Sequence, residues 1–176
     1  MKILALRETK QNEKRVAVTP DLIAKYSKIG YEISIESGAG DNCSISDQIF
    51  IDSGAKIIKD VGKDIKNFDI ILTVQSPDKK SLENIKNAKN DAILLGSLNP
   101  YIDKDNVDFY AKNNISAIAA ELFPRITRAQ SMDILSSQSN LAGYRAVIDG
   151  MYELETAAPM MMTAAGTVSP AKVMVI

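Results

Sequence analysis

The sequence predicts an α/β protein built on an open, doubly wound, mainly parallel sheet. Three observations lead there: short apolar runs of strand length recur along the chain, segments of helical periodicity separate them, and turn or capping residues mark the junctions. Consecutive strands joined by crossover helices run parallel, and the helices then pack on the sheet faces.

The first predicted strand spans residues 2–6. Pro20 opens a helix that reaches about Lys28, with Thr19 as its N-cap and Gly30 as its stop, because proline suits the first helical turn and glycine the left-handed exit. A strand at 32–36 comes next, and Ser46-Asp47 start a helix ending near Gly54. Strands at 69–74 and 92–95 are followed by helices introduced at Ser76-Pro77 and Ile102-Asp103, and 116–119 is a further strand. The order β-α-β-α-β fits a Rossmann/flavodoxin-like sheet.

Beyond Ser131 the pattern changes. Ile134, Leu135, Leu141, Tyr144, Ile148, Met151 and Leu154 recur at spacings suited to one helical face, which predicts a long connecting helix. Residues 163–170 read as a turn-rich link. The apolar run at 172–176 reads as a buried parallel strand that no helix follows, although a strand added to the edge of the preceding sheet is the plainer alternative. The expected organisation is a first subdomain at 1–130, the connecting helix at 131–162, and at 163–176 a linker with the first strand of a further subdomain, before which the fold is truncated.

The 176 residues carry 21 basic and 22 acidic side chains, a net charge of −1, so no global field favours nucleic acid as a partner. No stretch approaches the ~20 apolar residues that span a bilayer, so direct membrane insertion is not expected. The single cysteine, Cys43, forms no internal disulfide and suits a cytoplasmic location. The absence of histidine removes the commonest acid-base group near neutral pH.

The densest polar segment, ELFPRITRAQSMDILSS, follows the strand at 116–119, and open α/β sheets bind ligands at the carboxyl ends of their strands. Gln130, Asp133 and Ser136 are spaced three apart, which places them together on one helical face, and Arg125 can fold back onto it. Such a guanidinium, amide, carboxylate and hydroxyl can orient a carboxamide. The same residues, with Ser131, can equally cap and solvate the start of the long helix. The charge run from Arg7 to Arg15 reads as a solvated loop, and Gly38-Ala-Gly40 as a turn, since it lacks the third glycine of a dinucleotide fingerprint.

RETKQNEKRVAVTP, ESGAG, PRITRAQSMDILSSQSNLAGYRAVI and MTAAGTVSPAKVMVI resemble the alpha subunit of proton-translocating NAD(P) transhydrogenase, with alanine dehydrogenase as a relative. The resemblance implies a portion of an NAD(H)-binding component that passes hydride to NADP(H) held by a partner domain, coupled to proton translocation. It implies that Arg125, Gln130, Ser131, Asp133 and Ser136 are cofactor-binding, with no catalytic side chain and no metal. The implied partners are the remainder of the alpha subunit, the membrane and NADP-binding subunits and a second copy in a homodimer, so that the protein sits peripherally on the inner membrane. In the family, the strand matching 172–176 runs into a glycine-rich turn that holds the pyrophosphate, so this chain alone is expected to be inactive. Alanine dehydrogenase uses a lysine and a histidine where Gln75 and Asn99 stand here, which speaks against amino-acid oxidation. The rival expectation is a non-catalytic interaction module lacking its cofactor-binding half.

Overall fold

The computed structural model describes residues 1–175. At its centre lies β1 (Lys2–Ala5), whose alternating apolar side chains enter two different cores, one on each face of the sheet. Leu4, with Leu6 just beyond the strand, joins one cluster, while Ile3 and Ala5 join the other.

Five further strands surround it: β2 (Glu32–Glu36), β3 (Lys56–Ile58), β4 (Ile70–Gln75), β5 (Ile93–Ser97) and β6 (Ser116–Ala119). Their order is β3-β2-β1-β4-β5-β6, and every pairing is parallel. The register sets Ile3 opposite Ile33 on one side and Ile70 on the other. The predicted doubly wound sheet is therefore present, in the Rossmann-like strand order.

Helices cover both faces. Ile23 of α1 (Pro20–Lys28) and Phe50 of α2 (Asp47–Asp52) pack on Ile3, Ile33 and Ile35. On the other face, Val61 of α3 (Val61–Asp64), Leu82 and Ile85 of α4 (Lys79–Ile85) and Tyr110 of α5 (Lys104–Lys112) pack on Leu4, Ile71 and Leu94. Burying an aliphatic side chain of this size fully contributes about 1.5–3 kcal/mol.

Several boundaries differ from the sequence-based expectation for local reasons. At α1, Pro20 does start the helix and Gly30 takes φ +87°, but the Thr19 side chain makes no capping bond. At α4 the start moves from Ser76-Pro77 to Lys79, because the Asp78 side chain accepts from the Ser81 amide at 2.8 Å. Ser76 is instead buried, its hydroxyl accepting from Asn106 Nδ2 at 2.9 Å. Strand β3 is too short to show an alternating pattern and exists through its pairing with β2. Gly96 is fixed by close packing: a Cβ there would run into the Thr73 carbonyl oxygen and come within 2.6 Å of its Cγ2.

A second compact unit begins at Asp133. Its main element is α6 (Ile134–Glu153), shorter than the expected 131–162 because Asp133 caps one end and extended Leu154 closes the other. None of its residues is buried, and Leu141, Tyr144, Val147, Met151 and Tyr152 stand exposed. The stretch read as a turn-rich link contains an antiparallel hairpin, β7 (Met161–Thr163) with β8 (Gly166–Val168), and Gly166 takes φ +140°. The strand expected at 172–176 is not formed in its described residues: 172–175 pair with no neighbouring strand, and a strand exists only through such pairing. Ile176 lies outside the described residues.

Candidate functional site

In the observed order the chain winds outward from β1 to β3 and then returns to β4, so the strand sequence reverses between β1 and β4. The crevice at their carboxyl ends is where such sheets bind ligands. The segment from Arg7 to Arg15 fills it, and the solvated-loop reading of that charge run is corrected at two positions. Glu8 turns inward. Its carboxylate accepts from the Val74 amide at 2.5 Å and the Gln75 amide at 3.1 Å, with the Thr73 hydroxyl 3.0 Å away. These amides end β4 without a strand partner, and the carboxylate satisfies them.

Glu13 is the second inward group, its side chain only 8% exposed. It accepts from Arg15 Nε at 2.8 Å, Arg15 Nη2 at 2.6 Å and the Arg15 amide at 2.9 Å, and from Gln75 Nε2 at 2.9 Å. The Arg15 guanidinium, assisted by Gln75 and opposed by burial, lowers its pKa to about 2. Arg15, Glu13 and Gln75 thus form one hydrogen-bonded group across the ends of β1 and β4.

Other carboxylates occupy backbone donors along the same edge. Glu36, at the tip of β2, accepts from the Arg7 amide at 2.7 Å, and burial raises its pKa. Asp47 accepts from the Gly38 amide at 2.9 Å and the Ser37 hydroxyl at 2.7 Å. Glu121 accepts from the Leu98 and Asn99 amides at 3.2 and 2.6 Å, where β5 ends and Asn99 takes φ +47°. The signal in the sequence was an acidic residue within a few positions of each strand's end. Only folding shows that these side chains bridge to neighbouring strands.

The predicted site residues fall in both units. Arg125, Gln130 and Ser131 belong to the first. They lie on the irregular stretch after β6, which ends in a short 3-10 helix (Thr127–Met132) anchored by buried Ala129. All three residues are exposed, and their side chains make no hydrogen bond or ion pair among the described residues. Asp133 and Ser136 belong to the second unit and meet directly: the carboxylate accepts from the Ser136 amide at 2.9 Å and its hydroxyl at 2.6 Å. That geometry is an N-cap, so the capping alternative holds for this pair. Among the described residues, no group of His, Cys, Asp and Glu side chains has the arrangement of a metal site. Nor is any helix among them long and apolar enough to cross a membrane.

The family described as "Alanine dehydrogenase/PNT, N-terminal domain" matches residues 4–142. The chain belongs to this family. It is 45% identical over 177 residues to the first of the separately encoded portions of the NAD(P) transhydrogenase alpha subunit of Rhodospirillum rubrum, covering 99% of this chain and 46% of that protein. A crystal structure of transhydrogenase from Sinorhizobium meliloti superposes with a TM-score of 0.88 at 40% identity, over 97% of this chain and 50% of that one. Alanine dehydrogenase 1 of Staphylococcus aureus is more distant, 28% identical over 155 residues that span 88% of this chain and 40% of that protein. The chain therefore resembles the amino-terminal portion of a transhydrogenase alpha subunit and spans about half the length of the relatives it matches.

Within this family the two positions that separate the branches are both engaged internally. Gln75 is bound to Glu13, and the Asn99 amide to Glu121. As for a dinucleotide, exposed Arg125, Gln130 and Ser131 offer the donors and acceptors that suit a carboxamide. The first βα turn, Leu6-Arg7-Glu8-Thr9, does not suit a pyrophosphate: it has no glycine, and Glu8 already sits on the nearby Val74 and Gln75 amides.

Proposed function

We propose that this chain is the nicotinamide-orienting portion of the NAD(H) component of a transhydrogenase, working with the remainder of the alpha subunit and with subunits that bind NADP(H) and span the membrane. The observation that carries the reading is the polar segment that follows β6, Arg125 to Ser136, in a chain 45% identical to a transhydrogenase alpha-subunit protein. NAD(H), when bound, supplies the hydride, which passes directly to NADP(H) in step with proton translocation.

The side chains act by holding the carboxamide. Arg125 donates to its oxygen, Gln130 pairs with both its oxygen and its nitrogen, and Ser131 adds a hydroxyl close by. Asp133 is kept ionised and aimed by Ser136, so it accepts from the carboxamide nitrogen while capping α6. No general acid or base is needed at a direct ring-to-ring transfer, consistent with a chain that contains no histidine. The pyrophosphate is held by the remainder of the alpha subunit.

The second unit is the assembly surface. Its exposed apolar side chains, Tyr144, Met151 and Tyr152 on α6 and Met161 and Met162 on β7, are covered by a second copy in a homodimer. The assembly lies on the cytoplasmic side of the membrane, attached through its partners.

The test uses the assembled transhydrogenase. Gln130→Ala and Asp133→Asn, the latter retaining a capping oxygen, are expected to slow hydride transfer by about tenfold or more with unchanged melting behaviour. Unaltered transfer in both variants rejects the assignment.

A further inference from the structure

A cavity of about 360 Å³ opens beside the crevice, between the tip of β2, the turn after β1 and the start of α4. Such a volume lies at the small end of small-molecule sites. Four side chains on its wall have polar capacity to spare. Arg7 and Lys80 carry positive charge and make no ion pair among the described residues, and the Asn84 amide makes no hydrogen bond there. Glu36 accepts the Arg7 amide through Oε2 alone, which leaves Oε1 open.

The arrangement has a direction. The Arg7 guanidinium lies over the turn that follows β2, 3.2 Å from where a Gly38 Cβ would stand. An acidic side chain at the end of the second strand is the group that accepts from sugar hydroxyls in sheets of this strand order. Two cations opposite it suit a phosphate dianion. Glu8 also borders the cavity, but its oxygens are committed to β4 amides and leave no room for a pyrophosphate at the turn. These features select a small ligand over a dinucleotide.

We propose that this crevice binds a pentose-sized sugar phosphate, with Arg7 and Lys80 on the phosphate and Glu36 and Asn84 on the hydroxyls. The site is separate from the proposed nicotinamide-orienting segment and does not depend on it.

The experiment is titration of the 176-residue chain with ribose 5-phosphate, followed by amide chemical shifts, with ribose and inorganic phosphate titrated separately. Saturable shifts at Arg7, Glu36 and Asn84 are expected, with weaker binding of ribose or phosphate alone. Lys80→Ala and Glu36→Gln should each weaken binding by about tenfold, the loss of one charge-assisted hydrogen bond. Lys80 is exposed, and a glutamine at position 36 still accepts the Arg7 amide, so both variants keep the fold. Absence of saturable shifts overturns the proposal. So does equal affinity for inorganic phosphate and the sugar phosphate combined with no effect of Glu36→Gln.

Discussion

Replacing Glu13 by glutamine tests whether the Arg15-Glu13-Gln75 group holds the crevice together. The folded carboxyl titrates at about 2 instead of its ordinary 4.5, because Arg15 binds its ionised form through three donors. At ~1.4 kcal/mol per tenfold change, that depression corresponds to an upper bound of about 3 kcal/mol. Arg15 is 47% exposed, so solvent screening reduces the expected contribution to about 1–2 kcal/mol. A depressed folded pKa means that the unfolded chain binds the proton more tightly. The stabilisation is therefore complete above about pH 4.5 and is lost as the pH falls towards 2. Urea unfolding followed by circular dichroism, on wild type and Glu13→Gln across a range from about pH 7 to about pH 2, measures it. The variant should be less stable by about 1–2 kcal/mol near neutral pH, and the difference should shrink through that window. Equal stability near neutral pH, or a difference that does not change with pH, would refute the reasoning.

Two more outcomes follow from groups buried near the same edge. Glu8→Ala strips the acceptor from the Val74 and Gln75 amides and should cost about 2–4 kcal/mol in urea unfolding, and a loss under about 1 kcal/mol would mean that water replaces the carboxylate without penalty. The Tyr110 hydroxyl is buried without a hydrogen-bond partner in suitable geometry, and burial pushes its pKa up to about 12. Tyr110→Phe should leave stability unchanged or raise it by up to about 1 kcal/mol, and a clear loss in the same assay would show a partner for that hydroxyl.

The strands at 2–6, 32–36 and 116–119 were legible because apolar runs of strand length stood between helical patterns, and the observed strands begin at the same residues. Helix α1 was legible because Pro20 and Gly30 act through their own backbone restrictions, whatever surrounds them. Strand β3 and the hairpin at 161–168 were not, since three-residue strands are defined by their partners and carry too few side chains for a periodic signal. Asp133 was legible as a polar position, and the short contacts to Ser136 that make it a cap agree with one of its two readings.

Glu8 and Glu13 mark the limit of what sequence alone determines. As letters they belong to a run of charges, and a run of charges most often faces water. Whether such a carboxylate turns inward depends on unpaired amides and a guanidinium brought near it. Here those come from Val74 and Gln75, far along the chain, and from Arg15 close by in sequence. Local order followed from backbone preference and side-chain period, properties a residue carries within its own segment. The crevice, its carboxylate-filled amides and the cavity beside it came only with the tertiary structure, because a hydrogen bond between distant segments exists only once the sheet has set them side by side.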